Sequence, residues 1–159
     1  MRVKIIAVGS IKEDYWRVAL EEYTNRLSLY TKVEIIEVKD EPAPPQMSKI
    51  LQEKVKLKEG TKILKKIKDK DLVVALDLNG PQRDSETFAK YIDSLFQRGN
   101  SEIVFVIGGS LGLSPEVKTR ANEIVTLSKL TFTHQMTRVI LLEQIYRAFK
   151  INRNEVYHK

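Results

Sequence analysis

Apolar residues fall along this chain in two rhythms. Val3–Val8, Val33–Val38, Leu72–Leu78, Ile103–Ile107 and Ile124–Leu127 are short runs rich in Val and Ile, whose branched side chains suit strands. Between them, apolar positions recur every three or four residues, the spacing of a helix with one buried side. The first helix is predicted from about Glu13 to Leu27, with Trp16, Ala19, Leu20, Tyr23 and Leu27 on one side. A second starts near Ser48, and a third spans roughly Ser85 to Gln97, burying Phe88, Ala89, Ile92, Leu95 and Phe96. Ser114-Pro115 opens a short helix towards Ala121, because serine caps a helix and proline fits its first turn. The last runs from about His134 to Phe149, with Val139, Ile140, Leu142, Ile145, Tyr146 and Phe149 apolar. The stretch Asp40-Glu41-Pro42-Ala43-Pro44-Pro45 can be neither helix nor central strand.

Strands alternating with helices predict an α/β fold with a mainly parallel sheet and helices on both faces. Leu72–Leu76 and Ile103–Ile107 are continuously apolar, which places them centrally. In such sheets ligands gather beyond the carboxyl ends of strands, near a reversal in strand order. The residues after Ala75, Ile107 and Val125 are therefore the ones to inspect. Asp77-Leu78-Asn79-Gly80-Pro81 follows the third strand, and Gly108-Gly109-Ser110-Leu111-Gly112-Leu113-Ser114 follows the fourth. Paired glycines let a ligand approach the backbone, or simply allow a tight turn with positive φ. Their spacing is not that of G-x-G-x-x-G, and no G-K-[ST] follows, so dinucleotide and ATP readings lose their usual support. After the fifth strand, Leu127 to Gln135 offers main-chain polar groups and apolar side chains, better suited to a flat heteroaromatic ring than to a phosphate.

Composition narrows the chemistry. With 159 residues the chain fits one domain, 1–159, and 42% hydrophobic with 30% charged residues excludes a disordered chain. The absence of cysteine excludes a thiol nucleophile, a disulfide scaffold and cysteine-bound zinc. Two histidines leave little for a metal centre, and no metal is expected. No apolar run approaches the roughly 20 residues that span a bilayer, and the N-terminus does not read as a secretory leader. A soluble, cytoplasmic protein without a membrane partner is the expectation.

Lysine and arginine exceed acids by 27 to 21, a net charge of +6. Lys49 to Lys70 holds nine lysines and three acids, so this stretch alone carries +6 and the rest cancels. Its apolar residues Ile50, Leu51, Val55, Leu57, Ile63, Leu64 and Ile67 are spaced for packing on a sheet, with lysines outside. It is either a surface for a polyanion such as RNA or a solvated helix face. His134 reads first as a helix cap or a satisfied polar residue, and Arg147 as surface. The ending Tyr157-His158-Lys159 combines a ring able to stack on a base, an imidazole and an ammonium, although chain ends ordinarily fray.

Taken in order, Val106-Ile107-Gly108-Gly109-x-x-Gly112-Leu113-Ser114, the run Leu127-Ser128-Lys129-Leu130-Thr131-Phe132-x-His134-Gln135, Arg138-Val139, Glu143–Phe149 and the terminal Tyr157-His158-Lys159 resemble the ribosomal RNA large subunit methyltransferase H family of the SPOUT superfamily. The resemblance covers the whole chain and is most specific over its last third. It implies a deep C-terminal trefoil knot, which ordinary topology rules do not anticipate. It also implies a homodimer, S-adenosylmethionine as methyl donor, and methylation of N3 of a pseudouridine in 23S rRNA within the assembled ribosome. Carried onto this sequence, the donor lies on Leu76, Gly108, Leu127, Ser128, Lys129, Leu130, Thr131 and Phe132. His158 accepts the N3 proton or orients the base, Tyr157 stacks on it, and Arg147 holds phosphate or stabilises charge on a base oxygen. Lys159 and His134 contact substrate, and the tail reaches towards the partner's donor pocket. Thr133 stands where many members have proline, and Asn154 where many have glycine. Without the resemblance, a nucleotide- or flavin-binding domain and a non-catalytic RNA-binding protein stay open.

Overall fold

A computed structural model describes residues 1–98 and 101–159. Strands β1 (Arg2–Val8), β2 (Lys32–Val38), β3 (Leu72–Leu76), β4 (Glu102–Ile107) and β5 (Glu123–Val125) form one parallel sheet in the order β2-β1-β4-β3-β5. Helices α1 (Asp14–Leu27), α2 (Lys49–Leu64), α3 (Ser85–Gln97), α4 (Pro115–Arg120) and α5 (His134–Asn152) cover its two faces. Alternate strand residues point to opposite faces, so each strand feeds two cores. Ile5, Phe105 and Val74 pack with Leu27, Ile92, Leu95, Leu142 and Ile145 beneath α1, α3 and α5. Ile6, Val104, Val106 and Val73 pack with Ile63 and Val117 beneath α2 and α4.

Four helices start where short polar side chains end the preceding loop. Ser48, Asp84, Ser114 and Thr133 each accept the backbone N–H of the residue three further on. Thr133, rather than His134, therefore caps α5. β3 stops at Leu76, two residues short of the expected end, because Asp77 turns the chain. Its carboxylate accepts the Asn79 N–H at 2.9 Å and its carbonyl accepts the Gly80 N–H at 3.0 Å. β5 stops at Val125 because the Thr126 N–H turns to the Pro81 carbonyl. α5 runs one turn beyond Phe149 before Asn154 takes φ +53°, a conformation Asn and Gly tolerate best.

The larger departure is α2. It touches the body along Val55, Glu59, Gly60 and Ile63, while Ile50, Leu51 and Leu57 stay exposed. The apolar spacing located the helix but overstated the width of its buried stripe. Among the described residues no helix is long and apolar enough to cross a membrane, and no group of three or more His, Asp or Glu is placed to hold a metal ion.

Candidate active site

The loops after β3, β4 and β5 converge at the carboxyl edge of the sheet and enclose a cleft of about 500 Å³. Leu76, Gly108, Leu127, Ser128, Leu130, Thr131 and Phe132 line it, all singled out from the sequence. Lys129 lies in the same loop but does not line the cleft. Asp77, in the stretch after β3 that the strand-end rule selected, also contributes, as do Lys56 from α2, Lys118 from α4 and Thr137, which sequence reasoning missed. Lys56, on a distant helix, carried no local signal.

Local hydrogen bonds shape these walls. The Thr126 hydroxyl donates to the Ser128 carbonyl at 2.7 Å, and the Leu130 N–H donates to Ser128 Oγ at 3.0 Å. Gly112 takes φ +86°, and a Cβ there would meet no atom of the described residues within 4 Å, leaving this main chain open. At Gly80 the reverse holds. A Cβ would come within 2.7 Å of the Val125 carbonyl carbon, so the loop after β3 passes directly against the chain leaving β5. Burial opposes ionisation of Asp77, but Lys118 at 2.7 Å and the Asn79 N–H outweigh it and hold the carboxyl below its usual range.

Behind the glycine loop lies a carboxylate that the sequence did not single out. Glu59 is only 4% exposed, and its two oxygens lie 3.0 and 3.1 Å from where a Gly109 Cβ would stand. One oxygen accepts the Glu41 N–H at 3.0 Å, while the other has no hydrogen-bond partner among the described residues. Burial pushes this carboxyl above its usual range, against the Glu41 N–H that favours the ionised form. The folded chain therefore binds the proton more readily than the unfolded one, and this contribution to stability fades as pH rises through the folded value. Glu59→Gln is expected to raise the melting temperature at pH 7, with the gain shrinking as pH falls through the raised folded value and gone below about pH 4.3, where the unfolded carboxyl also protonates. Thermal melts of both proteins across pH 3.5–8 check this; an equal gain at every pH would refute it.

A second cleft, about 670 Å³, adjoins the first and shares Thr126, Leu127 and Phe132 with it. Arg83, Ser85, Gln144 and His158 add its polar lining. The tail is thus anchored along α5. The Tyr157 ring meets Tyr146 edge-on at 4.9 Å, lies under the Arg147 guanidinium at 4.7 Å, and donates its hydroxyl to Glu143 at 3.0 Å. Burial first, and the Glu143 hydrogen bond second, push its phenol well up. Arg147 also pairs with Glu143, and its Nη1 lies 3.2 Å from His158 Nδ1. A guanidinium has only donors, so in this contact Nδ1 is the acceptor, which assigns the ring N–H to Nε2. Lys159 is exposed at the end. His134 lies elsewhere: half-buried against Gly9 at the end of β1, it lines neither cleft. Burial, then the Arg138 charge, lower its pKa.

Residues 1–158 match the family described as "Predicted SPOUT methyltransferase". Over all 159 residues, and the full length of each relative, the chain is 54% identical to the ribosomal RNA large subunit methyltransferase H of Lacticaseibacillus casei (strain BL23). It is 53% identical, with the same full coverage, to the proteins of that name from Bacillus cytotoxicus and Exiguobacterium sibiricum. A family match over residues 1–158 and identity of 53% to 54% over full-length relatives establish that the chain belongs to the SPOUT methyltransferase family.

Proposed function

We propose that this chain methylates N3 of a pseudouridine in 23S rRNA, on the assembled ribosome, with S-adenosylmethionine as donor. The observation that carries the reading is the cleft itself, where seven residues expected to hold the donor line one cavity. The residues present fit that donor. Leu76, Leu113 and Phe132 offer apolar walls to a flat adenine, and the open main chain at Gly112 and Ser128–Thr131 offers groups to its edge. When bound, the donor supplies a methyl group already activated by its sulfonium, so this chain's residues have only to bind, orient and help a proton leave.

Orientation is the main contribution, since holding the reactants in line converts an encounter into a unimolecular step. The second cleft, which shares a wall with the first, suits the target base. There the His158 Nε2–H donates to a base carbonyl, and Arg147 backs it with fixed positive charge as the N3 proton leaves to water at the exposed rim. A homodimer belongs to this reading. Tyr15, Val18, Leu29 and Val156, between 64% and 88% exposed, are apolar residues that a second copy would cover. So does the C-terminal knot, whose threading accords with the loop after β3 lying tight against Val125 and Thr126. Mass spectrometry of 23S rRNA nucleosides is the test, using ribosomes from cells lacking this protein, before and after adding it with S-adenosylmethionine. One new methylpseudouridine is expected; an unchanged nucleoside profile would overturn the proposal.

A further inference from the structure

We infer that the solvent face of α2 is a docking surface for rRNA phosphates, governing how tightly the ribosome is held and not how fast the methyl group moves. The inference rests on the proposed reading that rRNA is the substrate and adds the surface that recruits it.

The sequence places the whole net charge between Lys49 and Lys70, and folding sharpens that excess. Of the three acids there, Glu59 is turned inward and Glu53 is paired with Lys56 at 2.8 Å, which leaves Asp69. Of the nine lysines, Lys56 and Lys62 form ion pairs, the latter with Glu41 at 2.6 Å. The other seven are exposed and form no ion pair among the described residues. Lys54, Lys58 and Lys65 fall on one exposed stripe at helical spacing, roughly 120° around the helix from the buried Val55, Glu59 and Ile63. Like charges at i and i+4 destabilise a helix, so Lys54 above Lys58 is unfavourable in the isolated chain and is relieved by an anion. Lysine, a compact charge on a flexible stem, meets phosphate without reading sequence.

Position supplies the second argument. Lys56 of α2 and Lys118 of α4 both line the donor cleft, and the two helices pack on the same face of the sheet. Lys56 lies about 180° around the helix from Lys54, Lys58 and Lys65, so a polyanion bound along the stripe wraps round α2 to reach the cleft. Its backbone is held by the stripe while one nucleotide enters the site.

The test is the triple variant K54Q/K58Q/K65Q, none of whose positions lines either cleft. Methyl transfer to 70S ribosomes is followed from 50 to 200 mM KCl, with donor binding by calorimetry and ribosome binding without donor by co-sedimentation. Three lost phosphate contacts predict that log(kcat/KM) falls less steeply with log[salt], by about 2 to 3 in slope. KM for ribosomes should rise about tenfold at 50 mM KCl, with kcat and donor affinity unchanged. K54R/K58R/K65R should restore KM. Unchanged KM and slope would overturn the inference, as would a fall in kcat alone. A salt-independent rise in KM would also overturn it and point to apolar contact with a protein through Ile50 and Leu57. If the unaltered protein methylates nothing but its salt-dependent co-sedimentation is weakened in the triple variant, the activity reading fails and the surface stands.

Discussion

Deleting Tyr157, His158 and Lys159 is expected to lower methyl transfer to ribosomes by on the order of 10³-fold while leaving S-adenosylmethionine affinity within about twofold. The asymmetry follows from the two clefts. None of the three residues lines the first cleft, where the proposal places the donor, whereas His158 lines its neighbour. The deletion also removes the Tyr157 contacts with Tyr146, Arg147 and Glu143, so a melting curve must accompany it. Single substitutions at His158 avoid that complication, because among the described residues its side chain hydrogen-bonds to Arg147 alone. They also separate two roles. If His158 works as an Nε2–H donor with Nδ1 turned to Arg147, His158→Gln preserves both functions, since its carbonyl accepts and its amide donates. Glutamine should then retain far more turnover than alanine. If His158 takes the N3 proton, glutamine and alanine are equally poor, and single-turnover assays would show equal losses. Full turnover by the truncated protein would end both versions.

How much was legible in advance depended on the range of the interactions involved. β3 and β4 announced themselves because strands covered on both faces must be apolar at every position, and that signal is local. The cap at Ser114 is equally local and was legible, whereas at α5 the sequence pointed to His134 and the cap is Thr133. Asn154 is instructive: its φ of +53° is a conformation that glycine and asparagine tolerate best. The first cleft was legible because a topological rule pointed to strand ends, and the resemblance then supplied individual residues. What escaped was set by partners far along the chain. Nothing near Glu59 says that it will be buried behind Gly109, and nothing near Lys56 says that α2 will bring it to the cleft. His134 was chosen for its chemistry, but its neighbourhood is set by Gly9, which lies far away in sequence. Arg138, an unremarkable charge within an amphipathic pattern, is fully buried.

Arg138→Ala is expected to be the most destabilising single substitution considered for this chain, by about 3–5 kcal/mol. At this chain length that corresponds to a fall in melting temperature of roughly 10–15 °C. The guanidinium is 0% exposed on α5, and Nη2 donates to the Val8 carbonyl at 3.2 Å and the Gly9 carbonyl at 2.8 Å. It thereby ties the end of β1 to the last helix. Alanine leaves both carbonyls without that donor and a cavity the length of an arginine stem. The burial is not ideal even in the parent. Nε and Nη1 have no hydrogen-bond partner among the described residues, and Glu37 stands 3.4 Å from Nη1, too long for more than attraction between charges. Burial accordingly lowers the Arg138 pKa, with Glu37 opposing. A volume-conserving Arg138→Met removes the poorly compensated charge along with the two hydrogen bonds, so it should cost well under half as much as alanine. Because Arg138 lines neither cleft, whatever folds of either variant should bind donor as the parent does. Calorimetric melting with donor titration at 20 °C tests both halves. Equal destabilisation by alanine and methionine would mean that the two carbonyl contacts, rather than the filled volume, hold β1 to α5. No loss in either would mean that the buried guanidinium contributes nothing to holding the sheet and its last helix together.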